Sequence, residues 1–140
     1  MVTNTQGSSA RQNSTQQVHY LRFAVNYNDS GIANGIGKQW LPKGAIITGT
    51  SVYVGTAFNA ATTNVLTVGT NSTAYDNIVG TADVDESAAV PLTNGIKPSG
   101  AALGPLAADA QVFVKYAQTG TAATAGAAVV VVHYVPNNDL

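Results

Sequence analysis

Residues 19–27 read His19-Tyr20-Leu21-Arg22-Phe23-Ala24-Val25-Asn26-Tyr27. His19, Leu21, Phe23, Val25 and Tyr27 alternate with Tyr20, Arg22, Ala24 and Asn26, the period of two that sends one face of a strand into a core and the other into solvent. The cluster Asn28-Asp29-Ser30-Gly31 ends this strand as a turn. No window of the chain carries a convincing 3.6-residue period, so the domain reads as all-β.

Working outward, residues 31–44 are Gly-rich and irregular, closing on Trp40-Leu41-Pro42-Lys43-Gly44. Ala45 to Phe58 reads as a long strand in which Gly49 and Gly55 mark bulges. Residues 59–64 then look like a hairpin loop into Val65-Leu66-Thr67-Val68, which is expected to pair with the long strand before Gly69-Thr70-Asn71-Ser72 stops it. From Thr73 to Ala110 the pattern weakens. Residues 74–79 fit a helical turn or a short strand, Val90-Pro91-Leu92 an edge piece, and Gly100 to Leu106 a coil.

Order returns at Gln111 to Ala117, where Val112, Val114 and Tyr116 oppose Phe113 and Lys115. After a loop over 119–126, Ala127 to Val135 carries five valines without alternation, the mark of a strand covered on both faces. These last two strands are expected to form an antiparallel hairpin. The whole is an antiparallel β-sandwich of jelly-roll or related topology, residues 18–140, preceded by a flexible polar arm over residues 1–17 with almost nothing to bury.

Charged residues are only 9% of the 140, far below the roughly 25% of an average domain. A formal net charge of −1 leaves no basic field for a phosphate backbone, which argues against nucleic acid as partner. The surface is instead coated with Thr, Ser, Asn, Gln, Gly and Ala, which suits a subunit packed against others. The absence of cysteine excludes thiol catalysis, Cys-ligated zinc, iron–sulfur clusters and disulfides. The first residues lack a secretory-signal pattern. The longest apolar run, Ala127 to Val132, falls well short of the about 20 residues that cross a bilayer. Sequons at Asn13, Asn28 and Asn71 are the chance product of an Asn/Ser/Thr-rich chain.

Motifs for chemistry fail one by one. A phosphate loop over Gly31 to Lys38 lacks its first glycine, Ile32 standing there, and Gln39 replaces the magnesium-binding hydroxyl. Gly35-x-Gly37 is followed by Trp40 where a dinucleotide fingerprint needs glycine. His19 and His133, on the first and last strands, are two ligands at most. Asp83, Asp85 and Glu86 offer hard oxygens for weak calcium binding but do not fit an EF-hand loop, and a solvated acidic turn is the preferred reading. There is no Gly-x-Ser-x-Gly elbow, and Glu86 is the only glutamate. The chain reads as a non-enzyme without catalytic, cofactor or metal residues. Contact is expected of exposed aromatics, Trp40 first, then Tyr27, Tyr53 and Tyr75, with Arg11 and Gln12 on the arm.

Leu41-Pro42-Lys43-Gly44-Ala45-Ile46-Ile47, then residues 52–59 (VYVGTAFN) and 63–70 (TNVLTVGT), Ala82-Asp83-Val84 and the strand ending His133-Tyr134-Val135, resemble small structural proteins of tailed bacteriophages. Size, single domain and polar arm are most similar to jelly-roll capsid cement, or decoration, proteins. That resemblance implies a virion protein on the outer capsid surface, with the major capsid protein as partner and self-association as dimer or trimer. It supplies no catalytic residues. Two other readings compete: a tail-fibre or adhesin module that binds host glycan through Trp40, Tyr75 and Asp76, and a tail-tube or tail-completion subunit.

Overall fold

A computed structural model describes residues 18–88 and 92–137. The arm with Arg11 and Gln12, and Val90-Pro91 of the expected edge piece, lie outside the described residues. Seven strands form: β1 (His19–Asn26), β2 (Ile36–Leu41), β3 (Ile46–Thr56), β4 (Thr63–Gly69), β5 (Leu92–Ile96), β6 (Ala110–Thr119) and β7 (Ala127–Val135), with single 3₁₀ turns at Ile32–Asn34 and Gly100–Ala102. They make a four-stranded sheet ordered β1-β7-β3-β5 and a three-stranded sheet ordered β2-β6-β4, all pairings antiparallel.

The β-sandwich read from sequence is present, and its topology is a rolled hairpin. An isolated bridge joins Val68 to Val79, so Val79 stands as a residual strand between β4 and β5. Counting it, the first strand pairs with the eighth, the second with the seventh, the third with the sixth and the fourth with the fifth. This is the jelly roll. Every connection crosses between the sheets except the one from β4 to Val79, the tip of the rolled hairpin.

Both expected hairpins are therefore corrected. β3 pairs with β7 and β5, not with β4, and β4 pairs with β6. The connection cannot be a solvent-facing tip because Phe58 and Ala60 are buried. Phe58 donates its N–H to the Glu86 carbonyl at 2.8 Å, and its ring tilts against Tyr116 at 4.7 Å, closing one end of the core. Likewise β6 and β7 lie in different sheets. The loop between them crosses the same end, with Ala123 buried and a Cβ at Gly126 excluded by the Phe58 ring.

Residues 31–44, expected to be irregular throughout, contain β2, whose register shifts between Gly37 and Trp40. Glycine and the bulge erase the alternation that would have announced it. In β3 the register shifts fall between Ile47 and Gly49 and between Val54 and Thr56, where the glycines had indicated.

The alternation of β1 holds. Leu21, Phe23 and Val25 are buried while Tyr20, Arg22, Ala24 and Asn26 are exposed. On β7, however, only Ala128, Val130, Val132 and Tyr134 are buried; Val129 and Val131 are half-exposed on the outward face. Among the described residues the expected cover is met on the core side alone, since none of them forms a layer over the outside of the four-stranded sheet.

Candidate binding interface

The two outward faces of the sandwich differ in kind. Over the three-stranded sheet lies the chain's own loop of residues 70–80. Tyr75 stacks on Phe113 of β6 at 4.6 Å and 16°, and Lys115 donates to the Thr73 carbonyl at 3.1 Å. Asn71 pins the loop: its Oδ1 accepts from Asp76 N at 2.9 Å and Asn77 N at 3.3 Å, while its Nδ2 donates to Asp76 Oδ1 at 2.7 Å. Asn77 Oδ1 in turn accepts from Thr70 N at 2.8 Å. These bonds hold Thr73 and Tyr75 at φ 69° and 49°, a left-handed conformation that non-glycine residues rarely adopt.

Among the described residues, none covers the outside of the four-stranded sheet. Tyr20, Tyr53 and Leu92 are exposed there, with Ile46 and Val135 opposite one another at one end. Arg22 is the one Lys, Arg, Asp or Glu in its four strands. A shallow apolar depression of about 140 Å³ opens on this face, bordered by Ala24, Asn26, Gly55 and Ala127 with Tyr53 and Val129 beside them.

The aromatic candidates do not converge. Trp40 is 60% exposed on β2, in register with Gln111. Tyr53 is 41% exposed on β3, opposite Val129 on the bare face. Tyr75 has one ring face taken by Phe113, and Tyr27 packs against the core. Trp40 and Tyr75 thus belong to one sheet and Tyr53 to the other.

His19 and His133 sit on paired strands but on opposite faces, since His19 is in register with Tyr134 and His133 with Tyr20; the His19 and Tyr134 rings lie 5.6 Å apart. The acidic cluster is also divided. Asp83 Oδ2 accepts from Gly80 N at 2.6 Å, Asp85 Oδ1 takes the Ser87 hydroxyl at 2.8 Å, and Glu86 turns inward. Among the described residues no group of three His, Asp or Glu is placed to hold a metal ion.

Glu86 is the residue that sequence reasoning misplaced. It is only 7% exposed, not solvated, and its Oε1 accepts the Leu66 N–H at 2.7 Å. It caps the edge of β4 beyond the single bridge at Val79, where a full strand would have supplied the acceptor. Burial pushes its carboxyl above the ordinary value and the neighbouring Asp85 charge adds to this, against the lowering by hydrogen bonds from Leu66 and its own N–H. Tyr116, whose hydroxyl donates to Asn64 Oδ1, is raised by burial and then by the Glu86 charge. A lone glutamate in a Thr/Ala-rich loop was the only signal.

No protein-family model matches the chain, and no curated protein sequence does. Among solved structures it is similar to a chain of the acidic stable capsid structure of Helicobacter pylori bacteriophage KHP30, at 16% identity over 84% of this chain and 86% of that one, TM-score 0.55. It is also similar to a chain of the capsid of Ralstonia phage GP4, at 17% identity over 88% and 86%, TM-score 0.51. A chain of the cyanophage Pam1 capsid asymmetric unit matches at 25% identity over 86% and 84%, TM-score 0.49. The first two share the fold of this chain over nearly its whole length.

Proposed function

We propose that the chain is a structural virion protein that binds the outer surface of a tailed-phage head and cements neighbouring major capsid subunits. The observation that carries this reading is the near full-length fold shared with single chains of two phage capsid structures. A charge-poor coat and a bare apolar sheet face support a life spent in assembly rather than free in solution. Such a protein performs no reaction. It stabilises by burying surface against two or more shell subunits, and a specific interface needs about 1,600 Å² in total.

Co-sedimentation of the purified protein with mature shells stripped of it tests the proposal. Saturation at a simple ratio to the major capsid protein supports cementing; absence of binding overturns it in favour of a tail component. The arm, with Arg11 and Gln12, is assigned to the shell contact. Deleting residues 2–16 should weaken binding, and unchanged binding would remove those two residues from the interface.

A further inference from the structure

The tripeptide Asn-Gly-Ile occurs twice, at residues 34–36 and 94–96. Asparagine followed by glycine is the pair best able to close on itself, because no side chain on the second residue hinders its nitrogen from reaching the amide carbon of the first. In an unfolded chain the two copies would react alike; the fold treats them differently. Asn34 lies in the first 3₁₀ turn, and the Gly35 N–H that follows it donates to the Ile32 carbonyl at 3.4 Å. The Tyr75 ring presses on Gly35 so closely that a Cβ there would meet it at 2.5 Å. Asn94 and Gly95 lie on the edge strand β5, where Thr50 pairs with Ile96 and Val52 with Thr93, so that Ser51 alone faces two residues across a bulge. Both are exposed, Gly95 takes φ 71°, and nothing stands within 4 Å of where its Cβ would be.

We propose that Asn94 is a site of self-modification, at which the chain converts its own asparagine to isoaspartate and aspartate through a succinimide, with Ser51 supplying the oxyanion contact. The Ser51 hydroxyl donates to Asn94 Oδ1 at 2.8 Å, the oxygen on which negative charge grows as the ring closes. A hydrogen bond to an anion is roughly twice as strong as one to a neutral oxygen, so the contact favours the transition state over the ground state. The Gly95 nitrogen gives its proton to hydroxide and bonds to Asn94 Cγ; the bond from Cγ to Nδ2 breaks, and ammonia leaves with a proton from water. Water then opens the ring. Entry at Cγ returns aspartate, whereas entry at the Asn94 backbone carbonyl leaves the chain running through the side chain as isoaspartate. Water is the only reagent, and nothing is oxidised or reduced.

The product changes the sheet. Ser51 alternates with buried Thr50 and Val52, so it faces outward together with Asn94. Arg22 is the one Lys, Arg, Asp or Glu of the four strands, and the reaction adds a carboxylate to their outer face. Isoaspartate also lengthens the β5 backbone by one carbon between Thr93 and Ile96, the residues that pair with β3, which loosens this edge. A freshly made molecule and an aged one thus differ in charge and in the hold on β5 with no enzyme acting. Nothing in this inference rests on attachment to a shell.

The full chain, aged at mildly alkaline pH in ordinary and in heavy-oxygen water and then digested, is followed by peptide mass spectrometry. An acidic form is expected in which Asn94 has exchanged its NH₂ for OH, has taken the new oxygen from the solvent, and is in part a substrate for an isoaspartyl methyltransferase. Asn94 should convert about tenfold faster than Asn34 in the folded protein, because Asn34 has first to free the Gly35 N–H and lift the Tyr75 ring. In urea the two rates should converge. Ser51→Ala should slow Asn94 about fivefold in the folded protein and not in urea, whereas a variant that had merely unfolded would bring both asparagines to one rate. Ser51→Thr keeps the hydroxyl and should keep the parent rate; Asn94→Gln should abolish the acidic form. No acidic form, conversion of Asn34 as fast as Asn94 in the folded chain, or a folded Ser51→Ala protein as fast as the parent would each overturn the proposal.

Discussion

Thr50 lies at the middle of β3 with 1% exposure, and its hydroxyl has no hydrogen-bond partner among the described residues. A buried hydroxyl that lost its water without replacement destabilises the fold by about 1–3 kcal/mol. Valine has the same shape without that cost, so Thr50→Val should raise the urea midpoint and add about 1 kcal/mol. A loss of stability would mean that an ordered water satisfies the group. Glu86 makes the opposite point, a polar side chain buried with its partner. Because its carboxyl titrates above the ordinary range in the folded state, the native protein holds the proton more tightly than the unfolded chain. Stability is therefore greatest below the unfolded value near 4.3 and is lost as pH rises through the raised folded value. Glu86→Gln keeps an acceptor for Leu66 N–H and removes the charge. Its stability should match the parent at pH 4 and equal or exceed it at pH 7, as measured by urea unfolding at both.

At the level of elements, the loop over 70–80 depends on Asn71, whose side chain fixes two backbone N–H groups and the Asp76 carboxylate. Asn71→Ala should cost about 1–3 kcal/mol and speed hydrogen exchange at the Asp76 and Asn77 amides before it affects β6. Unchanged exchange would place the loop's order in the Tyr75–Phe113 stack instead. Sequence made β1, β3, β6 and β7 legible because alternation or a valine run marks a strand's faces. β2 and β5 escaped because IGKQWL and LTNGI carry glycine and polar residues on edge strands. Partners were misread for a different reason. A period of two says which side chains turn inward, but nothing in it says which strand lies alongside, and in a rolled hairpin the partners are distant in the chain. The aromatic candidates were visible as residue types, whereas their division between the two sheets appears only once the topology is known.

For the whole molecule, thirteen formally charged side chains among 140 residues leave little for salt to screen. If shell attachment is built from apolar and neutral polar surface, raising NaCl from about 0.05 to 1 M should change the saturation binding less than about threefold. Release at molar salt would contradict a neutral interface. Within that composition the three-stranded sheet covers its outer face with the loop over 70–80, while Tyr20, Tyr53 and Leu92 of the four-stranded sheet stay exposed.

The position of β7 between β1 and β3 also governs how the chain comes into being. β7 is the last of the seven strands to leave the ribosome, yet it is the one that both β1 and β3 must pair with. Until residues 127–135 emerge, β1 waits without a partner and β3 holds only β5. The pairing of β1, and of β3 on its β7 side, is thus withheld until residues 127–135 have emerged, since these non-local pairings reward loop closure only then. A nascent chain truncated before Ala127 leaves an open apolar seam, which is where chaperones and proteases will find it.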